Sequence, residues 1–230
     1  MDFVSVATSL VDERFPDARA AVLGGSAADG SANEFSDLDI VVVLEGAPAP
    51  FRETTRAGER LIELFVHTEA SLEYWFDQDR QQGLPTLANM LATGVGLSGA
   101  DVDVIQQRAR EHIAAGPAPW TDEQFQYRRY VLTDALDDLL GARGVDERDA
   151  VAGQILTLAA ELRLARNDCW QGKGKWQLRM LRNCDPALAS ALFAAHRATV
   201  SSDDRAALVA VCEQILEPLG GRLSDGFTVR

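Results

Sequence analysis

Two aspartates separated by one residue are the side chains of this 230-residue chain with the clearest chemical use. Asp37 and Asp39 stand just before the β-branched run 40–43, which predicts a strand. Residues two apart on a strand share a face, so both carboxylates point the same way, while Leu38 and Ile40 point into the core. Neighbouring carboxylates repel unless a cation lies between them, which indicates a divalent-cation site. An acidic loop that merely precedes a strand is the alternative.

A glycine turn upstream supplies a second element of the same site. The apolar run 21–23 ends at Gly24-Gly25-Ser26. Glycine lets the backbone approach a ligand closely, and backbone N–H groups with a serine hydroxyl suit phosphate oxygens. No Gly-Lys-Ser/Thr follows and Gly-x-Gly-x-x-Gly is absent, which excludes a P-loop and a dinucleotide-binding fingerprint. The stretch therefore predicts a phosphate cradle near a cation site.

This pattern, Gly25-Ser26 followed by Ser36-Asp37-x-Asp39 and a hydrophobic strand, resembles the signature of the DNA polymerase β-like nucleotidyltransferase superfamily. That family uses a third carboxylate on a later strand, for which Glu63 in an apolar run is the candidate. Leu61 and Phe65 share its face by the period of two, so the charge needs a partner there. A strand with one face to water is the alternative.

The resemblance implies nucleotidyl transfer, an in-line attack on an α-phosphorus with pyrophosphate leaving. Asp37, Asp39 and Glu63 would hold two Mg²⁺ ions about 4 Å apart. In enzymes of the streptomycin/spectinomycin type, the glutamate that matches Glu63 is also the suspected general base. The nucleotide-binding residues implied by the same motif are Gly25, Ser26 and Ser36.

A lysine-containing turn is a further candidate for nucleotide binding. The segment 172–176 has the sequence Gly-Lys-Gly-Lys-Trp, and a lysine there can reach triphosphate oxygens as a point charge. The Gly-Lys-Trp order resembles that of related enzymes, which favours Lys175 over Lys173. A surface loop with two solvated lysines is the alternative, and Trp176 is predicted to pack in the core.

The helix predicted from Thr121 to about Leu140 has two distinct faces. Its polar stripe comprises Tyr130, Asp134, Asp137 and Asp138, and its predicted core stripe comprises Leu132, Ala135, Leu136 and Leu139. Aspartate is unfavourable inside helices, and no basic residue follows four positions after Asp134 or Asp138. These aspartates therefore suggest a site that binds a cationic acceptor substrate. The alternative is an exposed polar face. Glu161 is another candidate acid or base, without support from spacing.

The surrounding elements predict an α+β fold, with a nucleotidyltransferase domain of mixed sheet over 1–116 and an all-helical bundle over 117–230. The boundary lies at the Gly/Pro-rich segment 116–120, where Trp120 is expected to pack rather than bind ligand. Helices are predicted over 2–13, 51–57, 69–80 and 101–115, with another beginning at Pro85, and 94–99 is a strand or a loop. After Thr121, helices are predicted over 121–140, 146–170, 177–182, 185–198 and 202–218, followed by a polar tail over 220–230. Thr121-Asp-Glu-Gln124 is a capping-box pattern, and Asp185 before Pro186 is a predicted N-cap.

Charge and composition narrow the function further. Twenty-two basic against 35 acidic residues give a net charge of −13, which argues against nucleic-acid binding and is compatible with a cationic small acceptor. The apolar runs are too short for a bilayer span, and the N-terminus lacks the basic region of a signal peptide. Three scattered cysteines, Cys169, Cys184 and Cys212, predict free thiols in a reducing cytoplasm. The three histidines form no zinc pattern.

The overall plan is similar to aminoglycoside nucleotidyltransferases of the streptomycin/spectinomycin adenylyl type, most closely over residues 20–67 and more weakly over 150–185. This resemblance implies Mg²⁺-dependent transfer of a nucleoside monophosphate, AMP from ATP, to a hydroxyl of a small acceptor, with aminoglycosides among the candidates. Two alternatives remain. One is a protein side chain as acceptor, as in related toxin-neutralising nucleotidyltransferases, and the other is a nucleotide-binding module without turnover.

Overall fold

The computed structural model describes residues 2–228. The chain divides into two compact units, Met1–Pro117 and Ala118–Arg230. The first unit contains a five-stranded mixed sheet with helices, and the described elements of the second are all helical. The predicted α+β fold, with a mixed sheet followed by helices, is confirmed.

The sheet of the first unit has the strand order β3-β4-β2-β1-β5. Its strands are β1 (Ala20–Leu23), β2 (Leu38–Leu44), β3 (Phe51–Ala57), β4 (Arg60–Thr68) and β5 (Val95–Ser98). Strands β2 and β4 run parallel, and the other neighbouring strands are antiparallel. The helices of this unit are α1 (Phe3–Arg14), α2 (Gly25–Ala28), α3 (Glu69–Gln82), α4 (Thr86–Thr93) and α5 (Val102–Ala115).

Strand β2 is buried on both faces of the sheet. On one face, Leu38 and Ile40 pack with Val11 of α1. On the other, Val41 and Val43 belong to a cluster with residues of α3, α4 and α5. Burial on both sides explains the continuous apolar run of this strand and anchors the aspartates at its beginning.

Residues 51–57 form a strand, so the predicted short helix is wrong. Burial alternates along β3: its even-numbered residues Arg52, Thr54 and Arg56 are exposed. The two-residue turn after Ala57, with Gly58 at φ +62°, folds β3 back onto β4 as a hairpin. The period of two and the pairing with β4 outweigh the local helical preference. The undecided segment 94–99 contains a strand, β5.

The second unit contains five α-helices and a short 3₁₀ turn within its described residues: α6 (Asp122–Gly141), α7 (Val145–Arg166), α8 (Lys175–Cys184), α9 (Pro186–Ser202), α10 (Arg205–Leu216) and the turn Glu217–Leu219. The predicted core stripe of α6 is confirmed, since Leu132, Ala135, Leu136 and Leu139 are all buried. The capping box at Thr121 is also confirmed. So is the Asp185 cap.

Several helix boundaries in this unit differ from the prediction, and α8 is longer by two residues at each end than the predicted 177–182. Helix α7 ends at Arg166 instead of continuing to residue 170, and the chain then turns at Asp168, which has φ +51°. Helix α9 continues to Ser202, so the last helix does not begin there. The last helix, α10, begins at Arg205, because the Asp204 side chain accepts a hydrogen bond from Ala207 N–H and caps the first turn.

The prediction of three free thiols is wrong, because Cys169 and Cys184 form a disulfide. The two residues lie 15 positions apart, on the segment after α7 and at the end of α8, with Cα atoms 6.4 Å apart. The spacing of the cysteines does not indicate this disulfide, because the two residues are brought together by the turn between α7 and α8. Cys212 is free and buried, and burial raises the pKa of its thiol to about 12.

The segment after α10 is held against α6 rather than being a simple polar tail. Arg222 forms ion pairs with Asp137 and Glu213, both at 2.7 Å. Phe227 stacks on Tyr130 with ring centroids 4.2 Å apart. The last two residues of the predicted tail, 229 and 230, lie outside the described part of the chain.

Within residues 2–228, no helix combines the length and apolar character needed to cross a bilayer.

Buried His67 makes stability depend on pH. Its Nδ1 lies 3.1 Å from Ser71 Oγ, and burial lowers its pKa from 6.5 to about 4. On acidification the unfolded chain takes up this proton first, so stability is lost as pH falls from 6.5 to 4. We expect urea unfolding to show that His67 contributes about 2 kcal/mol of the stability lost between pH 7 and pH 4.5.

The variant His67→Asn should lack this contribution, whereas His196→Asn, at a half-buried position, should retain it. An equal loss on acidification in His67→Asn and the wild type would contradict the assignment.

Candidate active site

Two parallel strands bring three carboxylates together. Asp39 on β2 lies opposite Glu63 on β4 in the register of the sheet, and Asp37 immediately precedes β2. One oxygen from each of the three side chains lies within 4.8 Å of the other two, and all three residues are half-buried. The strand pairing therefore gathers groups that are 24 positions apart in the sequence.

Glu63 has a partner that sequence reasoning missed. The Arg52 guanidinium donates a hydrogen bond to Glu63 Oε2 at 2.7 Å, and its Cζ lies 4.7 Å from the centroid of the Phe65 ring. Because Arg52 lies on β3, next to β4, the incorrect helix assignment for 51–57 concealed this contact. The strand pattern Arg-x-Thr-x-Arg was the available signal.

The loop before β2 is organised by hydrogen bonds that fix the position of Asp37. Asn33 N–H donates to Ser36 Oγ at 3.0 Å, and Phe35 N–H donates to Asn33 Oδ1 at 2.9 Å. From the start of β4, Arg60 Nη1 donates to the carbonyl oxygens of Asn33 and Ser36. Ser36 thus has a structural role in this loop, and its binding of nucleotide stays a prediction.

The glycine turn touches the carboxylate site directly. Gly24 N–H donates to the backbone oxygen of Asp39 at 2.8 Å. Gly25 has φ +65°, and a Cβ atom there would collide with the Asp39 carboxylate. Ser26 follows on α2, half-buried and with a hydroxyl that makes no hydrogen bond within residues 2–228. The predicted cradle and the predicted cation site are therefore adjacent.

The donor set at this site fits a divalent cation. Carboxylate oxygens are hard ligands of the kind that Mg²⁺ prefers, and three of them within 4.8 Å surround a space suited to positive charge. The repulsion among them is relieved when a cation is bound.

The lysine turn lies in the other unit, and both of its lysines are exposed. Lys175 is the first residue of α8, and Lys173 precedes it. Trp176 is half-buried, with the Arg179 guanidinium carbon 4.6 Å from its ring centroid, so its predicted place in the core is wrong. A tryptophan at the first turn of a helix covers the surface instead, where its ring accepts a cation.

The acidic stripe of α6 is only partly available to a ligand. Asp137 is paired with Arg222, 85 residues away, and Tyr130 is covered by Phe227. Asp134 and Asp138 are exposed. Helical spacing indicates only basic partners about four positions later on the same helix, so it does not predict a partner this distant in the chain.

Glu161 lies on α7, where its Oε2 is 3.3 Å from Arg128 Nε. Burial raises the pKa of its carboxyl, although the Arg128 charge opposes the shift. Gln171 Nε2 donates to the backbone oxygen of Glu161. Trp120 packs against Phe125 with ring centroids 5.3 Å apart, which agrees with its expected packing role.

Comparison with known proteins identifies the domain that holds the carboxylates. Residues 8–78 match the nucleotidyltransferase domain family. No curated protein matches the chain. A solved nucleotidyltransferase-like protein from Exiguobacterium sibiricum is similar, with 12% identity and a TM-score of 0.47 over 93% of this chain and 74% of that one. The match over residues 8–78 shows that the chain carries a nucleotidyltransferase domain, which supports a nucleotidyltransferase activity.

Gly25 offers a test of the contact between the turn and Asp39. In Gly25→Ala, the added methyl group must displace the Asp39 carboxylate, so we expect turnover to fall at least about tenfold, since reacting groups tolerate little displacement. Pyrophosphate release under saturating nucleotide measures this.

Gly30→Ala is the matched control, because Gly30 also has a positive φ, +75°, but a Cβ atom added there would meet no other atom within 4 Å. Both variants should lose roughly 1–2 kcal/mol of stability from the left-handed backbone. Equal turnover in the two variants would show that the Asp39 contact is unimportant.

Proposed function

We propose that this protein transfers a nucleoside monophosphate, AMP from ATP, to a hydroxyl group of a small acceptor in a Mg²⁺-dependent reaction. The observation that carries the proposal is the cluster of Asp37, Asp39 and Glu63 within 4.8 Å, inside a region that matches the nucleotidyltransferase domain. ATP as co-substrate also favours a cytoplasmic location.

The three carboxylates would act by holding positive charge at the reacting phosphate. Two Mg²⁺ ions bound there would stabilise the attacking and leaving oxygens of the displacement. Asp39 and Glu63 are fixed by the parallel pairing of β2 and β4, and Asp37 by the loop that Arg60 holds. Side chains held in this way need little rearrangement during the reaction. Glu63 is the proposed general base for the acceptor hydroxyl.

The β- and γ-phosphates would be held by the turn at Gly25 and Ser26. The absence of a side chain at Gly25 lets the turn lie against the Asp39 carboxylate, and the Ser26 hydroxyl can donate to a phosphate oxygen. Ser36 and the exposed lysines Lys173 and Lys175 complete the proposed nucleotide-binding set. Lys175 is the preferred triphosphate contact.

The acceptor is proposed to be a hydroxylated small molecule, with cationic aminoglycosides as the leading candidates. A net charge of −13 and the exposed carboxylates of Asp134 and Asp138 favour a cation. Tyr130 and Asp137 would support this surface through their contacts with the terminal segment.

A pyrophosphate-release screen tests the function directly. Each NTP is supplied with Mg²⁺ and a panel of aminoglycosides, other hydroxylated small molecules and protein acceptors. We expect release with ATP and a small acceptor, and a loss of at least about 100-fold in Asp39→Asn, because the amide carries no charge to hold the metal. Release that requires a protein acceptor would support the alternative acceptor class instead.

The matched control is Glu34→Gln, which removes an exposed acidic charge from the same loop. It should turn over like the wild type, and thermal unfolding should show that both variants are folded. Retained turnover in Asp39→Asn would contradict the catalytic assignment.

The two lysines give a separate prediction. Lys175→Ala should weaken ATP affinity by roughly tenfold or more, as expected for loss of a charge-assisted contact. Lys173→Ala should change it little, and neither should alter acceptor affinity. Equilibrium binding of a non-hydrolysable ATP analogue measures this. The reverse order of effects would identify Lys173 as the triphosphate contact.

A further inference from the structure

Arg52 is placed to interact with the carboxylate site from the edge strand of the sheet. It lies opposite Phe65 in the register of β3 and β4, and Thr54 lies opposite Glu63. The guanidinium contacts the Phe65 ring on one side and Glu63 Oε2 on the other. The side chain is nevertheless 61% exposed, whereas that of Glu63 is 22% exposed. Arg52 is therefore anchored at the rim of the site with a surface open to ligands.

The charges around Arg52 explain why it binds there. The three carboxylates of the site repel one another, and Arg52 supplies the one ion pair that Glu63 makes within residues 2–228. Arg56 lies further along the same exposed face, but it donates to the backbone oxygen of Glu59 and pairs with no carboxylate among these residues. Arg52 and Arg56 lie on the same strand and are both exposed, but of the two, Arg52 alone forms an ion pair with Glu63.

We propose that Arg52 competes with a divalent cation for the negative charge of Glu63 and so makes metal loading depend on the nucleotide. This rests on the proposed function. Before substrate binds, Arg52 neutralises Glu63 and lowers the affinity for free metal. A triphosphate brings its own negative charge, so metal and arginine no longer compete for one carboxylate. The fork of the guanidinium is then left to bind a phosphate oxygen.

If the contact between Arg52 and Glu63 were an ordinary surface ion pair, the metal affinity would respond differently to its removal. Such a pair contributes little to stability, and its removal would leave metal affinity unchanged. In contrast, competition predicts opposite effects of removing Arg52: tighter binding of free metal and weaker binding of the metal–triphosphate complex. Affinities measured at physiological ionic strength distinguish competition at Glu63 from an ordinary surface ion pair. Salt screens the more distant charges, so a change in metal affinity then reports on the direct contact.

The experiment is a calorimetric titration of Mg²⁺ alone, and of a non-hydrolysable ATP analogue with saturating Mg²⁺, into four proteins: the wild type, Arg52→Gln, Arg52→Lys and Arg56→Gln. We expect Arg52→Gln to bind free Mg²⁺ about threefold to tenfold more tightly, as removal of one nearby positive charge should allow. We expect it to bind the analogue about tenfold more weakly, through loss of a charge-assisted contact. Arg56→Gln should match the wild type, and Arg52→Lys should restore the wild-type affinity for free Mg²⁺.

Unchanged or weaker Mg²⁺ binding in Arg52→Gln would overturn the competition. If Asp39→Asn still abolishes Mg²⁺ binding in that case, the proposed metal site stands without it. Failure of the wild type to bind Mg²⁺ even with the analogue present would instead overturn the proposed function, and this inference with it.

Discussion

The repulsion among three carboxylates is the constraint on which the first unit depends. Asp37, Asp39 and Glu63 bring oxygens within 4.8 Å, an arrangement that is unfavourable without positive charge. Packing of β2 on both faces of the sheet holds these groups in place, since Leu38 and Ile40 are fully buried beside Asp39. Apolar burial therefore stabilises a strand that begins beside this cluster of carboxylates, and such gathered charges are common where a protein binds a ligand.

The surroundings of the carboxylates reduce the freedom of each one. The glycine turn lies against Asp39, and Arg60 holds the loop that leads to Asp37. Arg52 holds Glu63 from the neighbouring strand. Each contact comes from a different element, so the geometry of the site depends on the assembled sheet. Side chains positioned before substrate binds can stabilise charge without reorganising during the reaction.

The second unit combines a regular helical core with contacts that are distant in sequence. The disulfide joins the segment after α7 to the end of α8, beside the lysine turn. The terminal segment covers part of the acidic face of α6 through Arg222 and Phe227. These contacts leave Asp134 and Asp138 as the exposed carboxylates of the stripe. A stripe of four polar residues thus divides into two structural positions and two that are open to a ligand.

Local patterns in the sequence determined β2, its aspartate pair, the glycine turn, the capped helices and the buried stripe of α6, because periodicity and capping depend on neighbours a few residues apart. Only the tertiary structure decided that 51–57 is a strand, that Arg52 pairs with Glu63, and that Cys169 pairs with Cys184. Each of these depends on a hairpin or a helix turn that brings separated segments together. A strand at the edge of a sheet gains its hydrogen bonds from its neighbour, so its own residues carry only a weak signal of its conformation.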